Sequence, residues 1–290
     1  MRIAILCSPD SWYLQDLQRA AGDRHELHCV SFGRLAARWD ADETWRLFAD
    51  EHDLTRFDAA LIRTMPPGSL EQVIFRMDLL GRLETAGVLV VNPPRAVEVA
   101  VDKYLASARL QAAGLLTPRT LVCQTVQDAM AGFAELGGRV VVKPLFGGEG
   151  RGILRVEDED LASRVFKTLA QLQAVLYLQE FIPHLGYDLR LLTIGDRVLG
   201  MRRCNPLDWR TNVSRGATTE PFVPDQSLIE LALTAAAAAG APLVGVDVLP
   251  AQDGRRYVLE VNAVPGWKAL SRTLQIDVAA LVLQHLEAAK

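Results

Sequence analysis

Gly245-Val-Asp-Val-Leu-Pro-Ala-Gln-Asp-Gly-Arg-Arg-Tyr-Val-Leu-Glu-Val-Asn262 is the stretch on which the reading of this chain turns. Asp253-Gly254 is a two-residue turn signal between apolar runs. With that pair as the loop, Gln252 faces Arg255, and counting back sets Asp247 directly opposite Glu260. Residues opposed in an antiparallel pair point to one face, and Asn262, two residues past Glu260, shares it. Two carboxylates facing each other repel unless a cation or a proton lies between them. An all-oxygen donor set suits a hard cation such as Mg2+, which ordinarily also binds substrate phosphates. The rival reading is a surface hairpin whose acids pair with Arg255 and Arg256. Those arginines flank the turn, far along the strand from Asp247, and Ala263-Val-Pro-Gly266 forces a turn that exposes the ligand end. The metal reading is therefore preferred.

Length and composition bound the rest. A chain of 290 residues is too long for one small core and predicts two or three lobes around a cleft. A net charge of −4 gives no basis for nonspecific nucleic-acid binding. Met1-Arg-Ile-Ala-Ile-Leu-Cys7 reads as a first strand, not a signal peptide, and no apolar run is long enough to span a membrane. Cys7, Cys29, Cys123 and Cys204 lack metal spacing, which predicts reduced thiols in a cytoplasmic protein. The 31 basic residues include five lysines, Lys103, Lys143, Lys167, Lys268 and Lys290, so a lysine in an apolar setting carries weight here.

The expected fold class is α/β with α+β lobes. Residues 1–94 read as an α/β unit with strands Ile3–Cys7, Glu26–Phe32, Asp58–Arg63 and Gly87–Val91, helices Leu14–Ala21 and Leu70–Ala86, and a stop at Asn92-Pro93-Pro94. Residues 95–178 read as a central lobe: a helix Val97–Ala113, strand Leu121–Cys123, helix Val126–Leu136, strand Val140–Pro144, the loop Phe146-Gly-Gly-Glu-Gly-Arg-Gly152, a returning strand Ile153–Val156 and helix Leu161–Leu172. A strand, glycine loop and second strand make a flap, unlike a Walker loop. Residues 179–290 read as an antiparallel sheet backed by helices Leu228–Ala239 and Val278–Ala289, its first strand beginning at Tyr177.

Chemistry-bearing residues recur along this frame. Backbone N–H groups of Gly147, Gly148 and Gly150 could approach phosphate oxygens, where a plain flexible hairpin is the alternative; Glu149 and Arg151 are unlike a simple turn. Lys143 ends an apolar strand and could reach the same phosphates. Leu178-Gln-Glu-Phe-Ile182 could line a base pocket, with backbone groups bonding the base. Asp188 and Arg190 share a face by period two and are either a cross-strand pair or a ribose and phosphoryl contact. The segment 201–216 holds Arg202, Arg203, Arg210 and Arg215 against the single acid Asp208, which favours anion binding.

Taken in order, Lys103, Lys143 with its glycine loop, Gln179-Glu-Phe-Ile182, Gly186-Tyr-Asp-Leu-Arg190, Arg210-Thr-Asn-Val-Ser-Arg-Gly216, Asp247 and Glu260-Val-Asn262 resemble the ATP-grasp superfamily, and within it the RimK-type α-L-glutamate ligases. The resemblance covers about 102–266 and implies an ATP-grasp fold behind a Rossmann-like N-terminal domain. It implies that Lys103 and Lys143 hold ATP phosphates under the glycine flap with Glu149, that Glu180, Phe181 and Ile182 sit at the adenine, and that Asp188 sits at the ribose. It implies nucleotide contacts from Arg210, Thr211 and Asn212, two Mg2+ ions (or Mn2+) on Asp247, Glu260 and Asn262, and charge stabilisation by Arg190 and Arg215. It further implies an acyl-phosphate route to an amide, with glutamate as amine, a carboxylated small molecule or protein tail as acceptor, and a homo-oligomer.

Asn262-Ala-Val-Pro-Gly-Trp-Lys268 departs from the family's usual run and is similar to RimK-like proteins of tetrahydromethanopterin-type one-carbon metabolism, so Trp267 and Lys268 are expected near the acceptor. Arg63 and Arg76 are expected to recognise carboxylates, with a solvated helix face as the alternative for Arg76. The rival functions are a small-molecule kinase on the same site and a nucleotide-binding module without turnover. A Rossmann oxidoreductase is disfavoured, since Cys7-Ser-Pro-Asp10 replaces the glycine fingerprint. The five histidines are expected to form no cluster.

Overall fold

The computed structural model describes residues 1–39, 45–148 and 150–290, the side chain of Arg215 excepted. The first lobe runs β1 (Arg2–Leu6), α1 (Trp12–Ala21), β2 (Glu26–Val30), β3 (Leu35–Trp39), β4 (Trp45–Ala49), β5 (His52–Asp53), β6 (Ala59–Ile62), α2 (Leu70–Thr85) and β7 (Leu89–Val91). β2-β1-β6-β7 is a parallel sheet, as apolar strands alternating with helices require. A small antiparallel sheet, β3-β4-β5, is an addition that no sequence expectation covered. Ser69 and Gln72 close a reciprocal capping box at the start of α2.

Next come α3 (Pro94–Val101), α4 (Lys103–Ala112), β8 (Thr120–Cys123), α5 (Val126–Glu135), β9 (Val140–Lys143), β10 (Leu154–Val156), α6 (Glu159–Gln171) and β11 (Leu176–Glu180). The single helix expected over Val97–Ala113 is two. Asp102 leaves helical geometry and its carboxylate caps α4 by accepting from the amides of Tyr104 (2.9 Å) and Leu105 (3.1 Å). The break turns Lys103 toward the glycine loop. The central sheet is β10-β9-β11-β8. The expected boundary at 178/179 falls inside β11, which pairs with β8 and β9 through Gln179 and Glu180, so this sheet runs past it.

The rest is β12 (Tyr187–Ile194), β13 (Arg197–Cys204), β14 (Thr218–Phe222), α7 (Gln226–Ala239), β15 (Leu243–Pro250), β16 (Arg256–Asn262), α8 (Lys268–Leu274) and α9 (Val278–Ala289). The strands form one antiparallel sheet, β14-β13-β12-β15-β16. The lobes interleave in their packing. Ala96, Val99, Ala106 and Leu110 of α3 and α4 share a core with α7 and the last sheet, while Val278, Val282 and Leu286 of α9 share a core with β1 and α1. Buried Asn92 staples the first lobe to the last: its side-chain amide donates to the carbonyls of Leu243 and Ala263, and its oxygen accepts from the Leu243 amide. No helix among the described residues is long and apolar enough to cross a membrane.

Candidate functional site

The β15–β16 hairpin does set Asp247 opposite Glu260, and Gly245 opposite Asn262. The route differs from the two-residue turn. Ala251 pairs with Arg255 across a three-residue loop whose last member, Gly254, has φ +82°, the left-handed position such loops demand. That shifts the register by one residue, and a β-bulge between Asp247 and Val248 on the one strand and Val258 and Glu260 on the other shifts it back. Val258 and Val261 enter the core; Leu259 and Glu260 both line the cleft.

Asp247 lies in a buried charge network. Arg203 is bonded to both oxygens of Asp188 (2.7 and 2.5 Å) and lies 2.9 Å from Asp247 Oδ2. Arg190, directly across β12–β15, brings its Nε within 2.7 Å of Asp247 Oδ1, an ion-pair approach that leaves Oδ1 buried without a hydrogen-bond donor. Burial alone would push the Asp247 carboxyl up, but Arg190 and Arg203 hold it below the usual range. Burial, and then the charge of Asp247, push Glu260 up. Asn262 Oδ1 accepts from the Val264 amide at 2.9 Å and keeps a second lone pair. Two carboxylates, an amide oxygen, an undonated buried oxygen and an acid strained by its neighbour fit a hard divalent cation. Among the described residues no group of three or more His, Cys, Asp or Glu is arranged as a metal site; here the third oxygen is an amide.

Two cavities meet at Glu260 and Asn212, which line both. The first is walled by Pro118, Val141, Ile153, Phe181, Ile182, Leu249 and Leu259, with Lys143, Glu180, Asp188, Arg210, Thr211 and Asp247 at its polar side. Lys143 Nζ donates to Gln179 Oε1 at 2.6 Å, and Gln179 Nε2 donates to Thr120 Oγ1 at 3.1 Å, so buried Gln179, given no role from sequence, aims the lysine. Burial brings Lys143 down to about 8, and burial also lowers Lys103. Lys103 Nζ donates to the Gly147 carbonyl at 2.6 Å and so holds the base of the flap. Gly150 has φ +70°, and a Cβ there would meet Asn212 Oδ1 at 2.6 Å, so the flap closes on Asn212 only through glycine. Glu149 lies outside the described residues.

Several expectations are corrected. The Glu180 carboxylate accepts from the Arg119 amide (2.8 Å), and the amides of Glu180 and Phe181 donate to the Arg119 and Arg139 carbonyls, which removes those two N–H groups from any base. Asp188 lines the first cavity, as the ribose reading requires, and each of its oxygens also accepts from Arg203. Among the described side chains the arginines of the run do not converge: Arg202 packs over Tyr187 (4.5 Å), Arg203 is buried among acids, and Arg210 is bonded to Asp208. The Arg215 side chain lies outside the described set. Arg76 is not a solvated face; it is buried and bonded to the Pro66 carbonyl at 2.8 Å, away from both cavities. Trp267 is fully buried, its ring 5.0 Å from Tyr13 and its Nε1 donating to Asp16 at 3.0 Å; Tyr13 lines the second cavity and Trp267 does not. His28 and His52 do meet, edge to face with ring centroids 4.9 Å apart, as packing partners with Phe57.

Residues 100–286 match the RimK-like ATP-grasp domain. The chain is 30% identical to the tetrahydromethanopterin:alpha-L-glutamate ligase of Methanosarcina acetivorans over 97% of both chains. The chain belongs to the RimK-like ATP-grasp family. It is likewise 32% identical to the ligase of that name from Methanococcus maripaludis, over 96% of this chain and 95% of the other. The fold superposes on the ATP-grasp ligase PsnB, complexed with a minimal precursor, Mg and ADP, with a TM-score of 0.77 at 23% identity, covering 99% and 96% of the two chains. As a family member the chain is an ATP-dependent ligase that forms a C–N bond.

Proposed function

We propose that this RimK-like ligase adds L-glutamate to a carboxylated acceptor, with a pterin-type cofactor as the favoured acceptor class, through an acyl-phosphate. The observation that carries the reading is the junction at Glu260, where an apolar cavity with a lysine meets a basic cavity across a row of oxygen ligands. The names of the relatives support glutamate and the pterin.

The residues divide the work. Val141, Ile153, Phe181, Ile182, Leu249 and Leu259 enclose the base, the apolar wall excluding water. Lys143, aimed by Gln179, and Lys103 bind phosphate oxygens as point charges. Gly147, Gly148 and Gly150 close backbone N–H groups over the phosphates, and Arg210, Thr211 and Asn212 line the same wall. Asp247, Glu260 and Asn262 hold two Mg2+ ions, with Mn2+ able to replace them. Bound there, Mg2+ neutralises phosphate charge and polarises the transferred phosphoryl group. Arg190 and Arg215 stabilise negative charge on that group and on the tetrahedral adduct formed as the amine attacks. Arg203 and Asp188 act through Asp247, which they hold in place and ionised. No covalent nucleophile on the protein is required.

An ADP-release screen of amino acids crossed with carboxylate acceptors tests the reading. Glutamate with a pterin-type carboxylate is expected to release ADP and phosphate with Mg2+ present, and Glu260→Gln is expected to abolish release while leaving the circular dichroism spectrum unchanged. ADP formation that needs no amine would replace the ligase reading with a kinase, and unchanged turnover in Glu260→Gln would remove the metal assignment.

A further inference from the structure

The second cavity, about 550 Å³, is lined by Tyr13, Arg63, Thr64, Arg190, Arg203, Ser214, Asn262, Lys268, Arg272 and the single acid Glu260. Its charges do not balance. Arg190 and Arg203 are matched by Asp247 and Asp188. Arg63, Lys268 and Arg272 are paired with no acid among the described residues. Arg63 is the telling one. It is 3% exposed, and its guanidinium lies over the rings of Tyr13 (4.6 Å) and Trp267 (4.1 Å). Nη2 donates to the Pro265 carbonyl at 2.7 Å, while Nε and Nη1 have no hydrogen-bond partner. A buried cation without a counter-charge costs several kcal/mol, and burial already draws Arg63 down to about 10. Lys268 and Arg272, one turn apart on α8, extend the positive wall toward solvent.

We propose that this cavity is a polycarboxylate site, in which Arg63, Lys268 and Arg272 receive the non-reacting carboxylates of a substrate and favour a dicarboxylate end over a monocarboxylate. Cations at both the buried and the open end of the cavity suit anionic groups spaced along a chain. The reacting group then lies at Glu260 and Arg190, where the nucleotide cavity begins. The assignment of ends rests on the ligase reading; the charge selectivity does not. Both the amine donor and the acceptor can carry such an end, so the chemistry is shared and the source is read by experiment.

The test is isothermal titration of the full-length protein with butyrate, glutarate and tricarballylate, which differ in carboxylate count. Affinity is expected to rise along that series in the wild type and to flatten in Lys268→Gln/Arg272→Gln. Each exposed cation contributes about 2–5-fold and the pair about 10-fold, with ATP affinity unchanged as a check of folding. The steady-state arm compares KM for glutamate and for the acceptor, and the one that rises names the occupant. Equal affinity for the three probes, or a double variant that binds tricarballylate as the wild type does, overturns the proposal. An enzyme that turns over yet ignores these substitutions sinks this site and leaves the ligase standing; charge-selective binding without ADP release under any substrate pair does the reverse.

Discussion

With Lys143 on the ATP phosphates as proposed, ATP affinity is expected to depend on pH in a way that can be worked out in advance. Burial holds this amine down to about 8 in the free protein, against an ordinary value of roughly 10.4. Phosphate oxygens beside Nζ favour the charged form and return it toward that ordinary value. Below pH 8 the lysine is protonated in both states, so affinity is flat with respect to this group. Between pH 8 and about 10 the free enzyme has lost the proton and the complex has not. Binding must then load it, and Kd weakens by about tenfold per pH unit, or ~1.4 kcal/mol. Proton uptake per ATP bound rises from ~0.1 at pH 7 to ~0.9 at pH 9. Titration calorimetry in two buffers of different ionisation enthalpy reads that uptake directly. Lys143→Met serves as the reference, because nucleotide and Mg2+ titrate alike with both proteins, and Lys103, also lowered by burial, remains in each. The wild type minus variant difference should carry the full slope. Identical slopes between pH 8 and 9.5 would refute both the depressed amine and its place beside the phosphates.

Other substitutions probe separate links. Gly245→Ala sets a Cβ into the Arg190 guanidinium, and should cost ~10²-fold in ADP release with little change in the denaturation midpoint, since small misplacements near reacting groups are expensive. Arg203→Met leaves Asp188 and Asp247 facing each other without their shared cation, and should lower stability by about 3–5 kcal/mol in urea unfolding. Asn92→Ala removes the staple to Leu243 and Ala263, with an expected loss of about 1–3 kcal/mol by the same measurement. Leu259→Ala strips apolar wall from the nucleotide cavity, and should weaken ATP by about tenfold, worth ~1–2 kcal/mol of burial, without altering the Mg2+ requirement.

Much of this fold is written in local pattern. The parallel sheet of the first lobe, the glycine flap between β9 and β10, and the order of motifs follow from runs of apolar residues and their punctuation. One further pair was within reach. Gly195-Asp196 is a two-residue turn, and counting straight back from Ile194 and Arg197 sets Asp188 opposite Arg203, which would have withdrawn Arg203 from the anion cluster. The Arg190–Asp247 contact was out of reach, because it depends on β12 and β15 being neighbours although more than 50 residues separate them. So were the docking of α9 on α1 and the sealing of Arg63 under Trp267, which join the two ends of the chain. Local propensity carries no information about such pairings.

The hairpin shows how a correct pairing can rest on two errors that cancel. A two-residue loop and an unbroken ladder set Asp247 opposite Glu260; a three-residue loop and a bulge do so as well. The two routes differ in what the strand can present. In an unbroken strand Val258 and Glu260 would share one face and Leu259 and Val261 the other. With the bulge, both valines enter the core and the adjacent Leu259 and Glu260 both turn to the cleft. On the proposed function, an apolar wall for the base and an acid for the cation thus come from neighbouring residues, and the acid stands where the first cavity opens into the basic one. The irregularity that sequence periodicity hides is what brings the two halves of the site within one residue of each other.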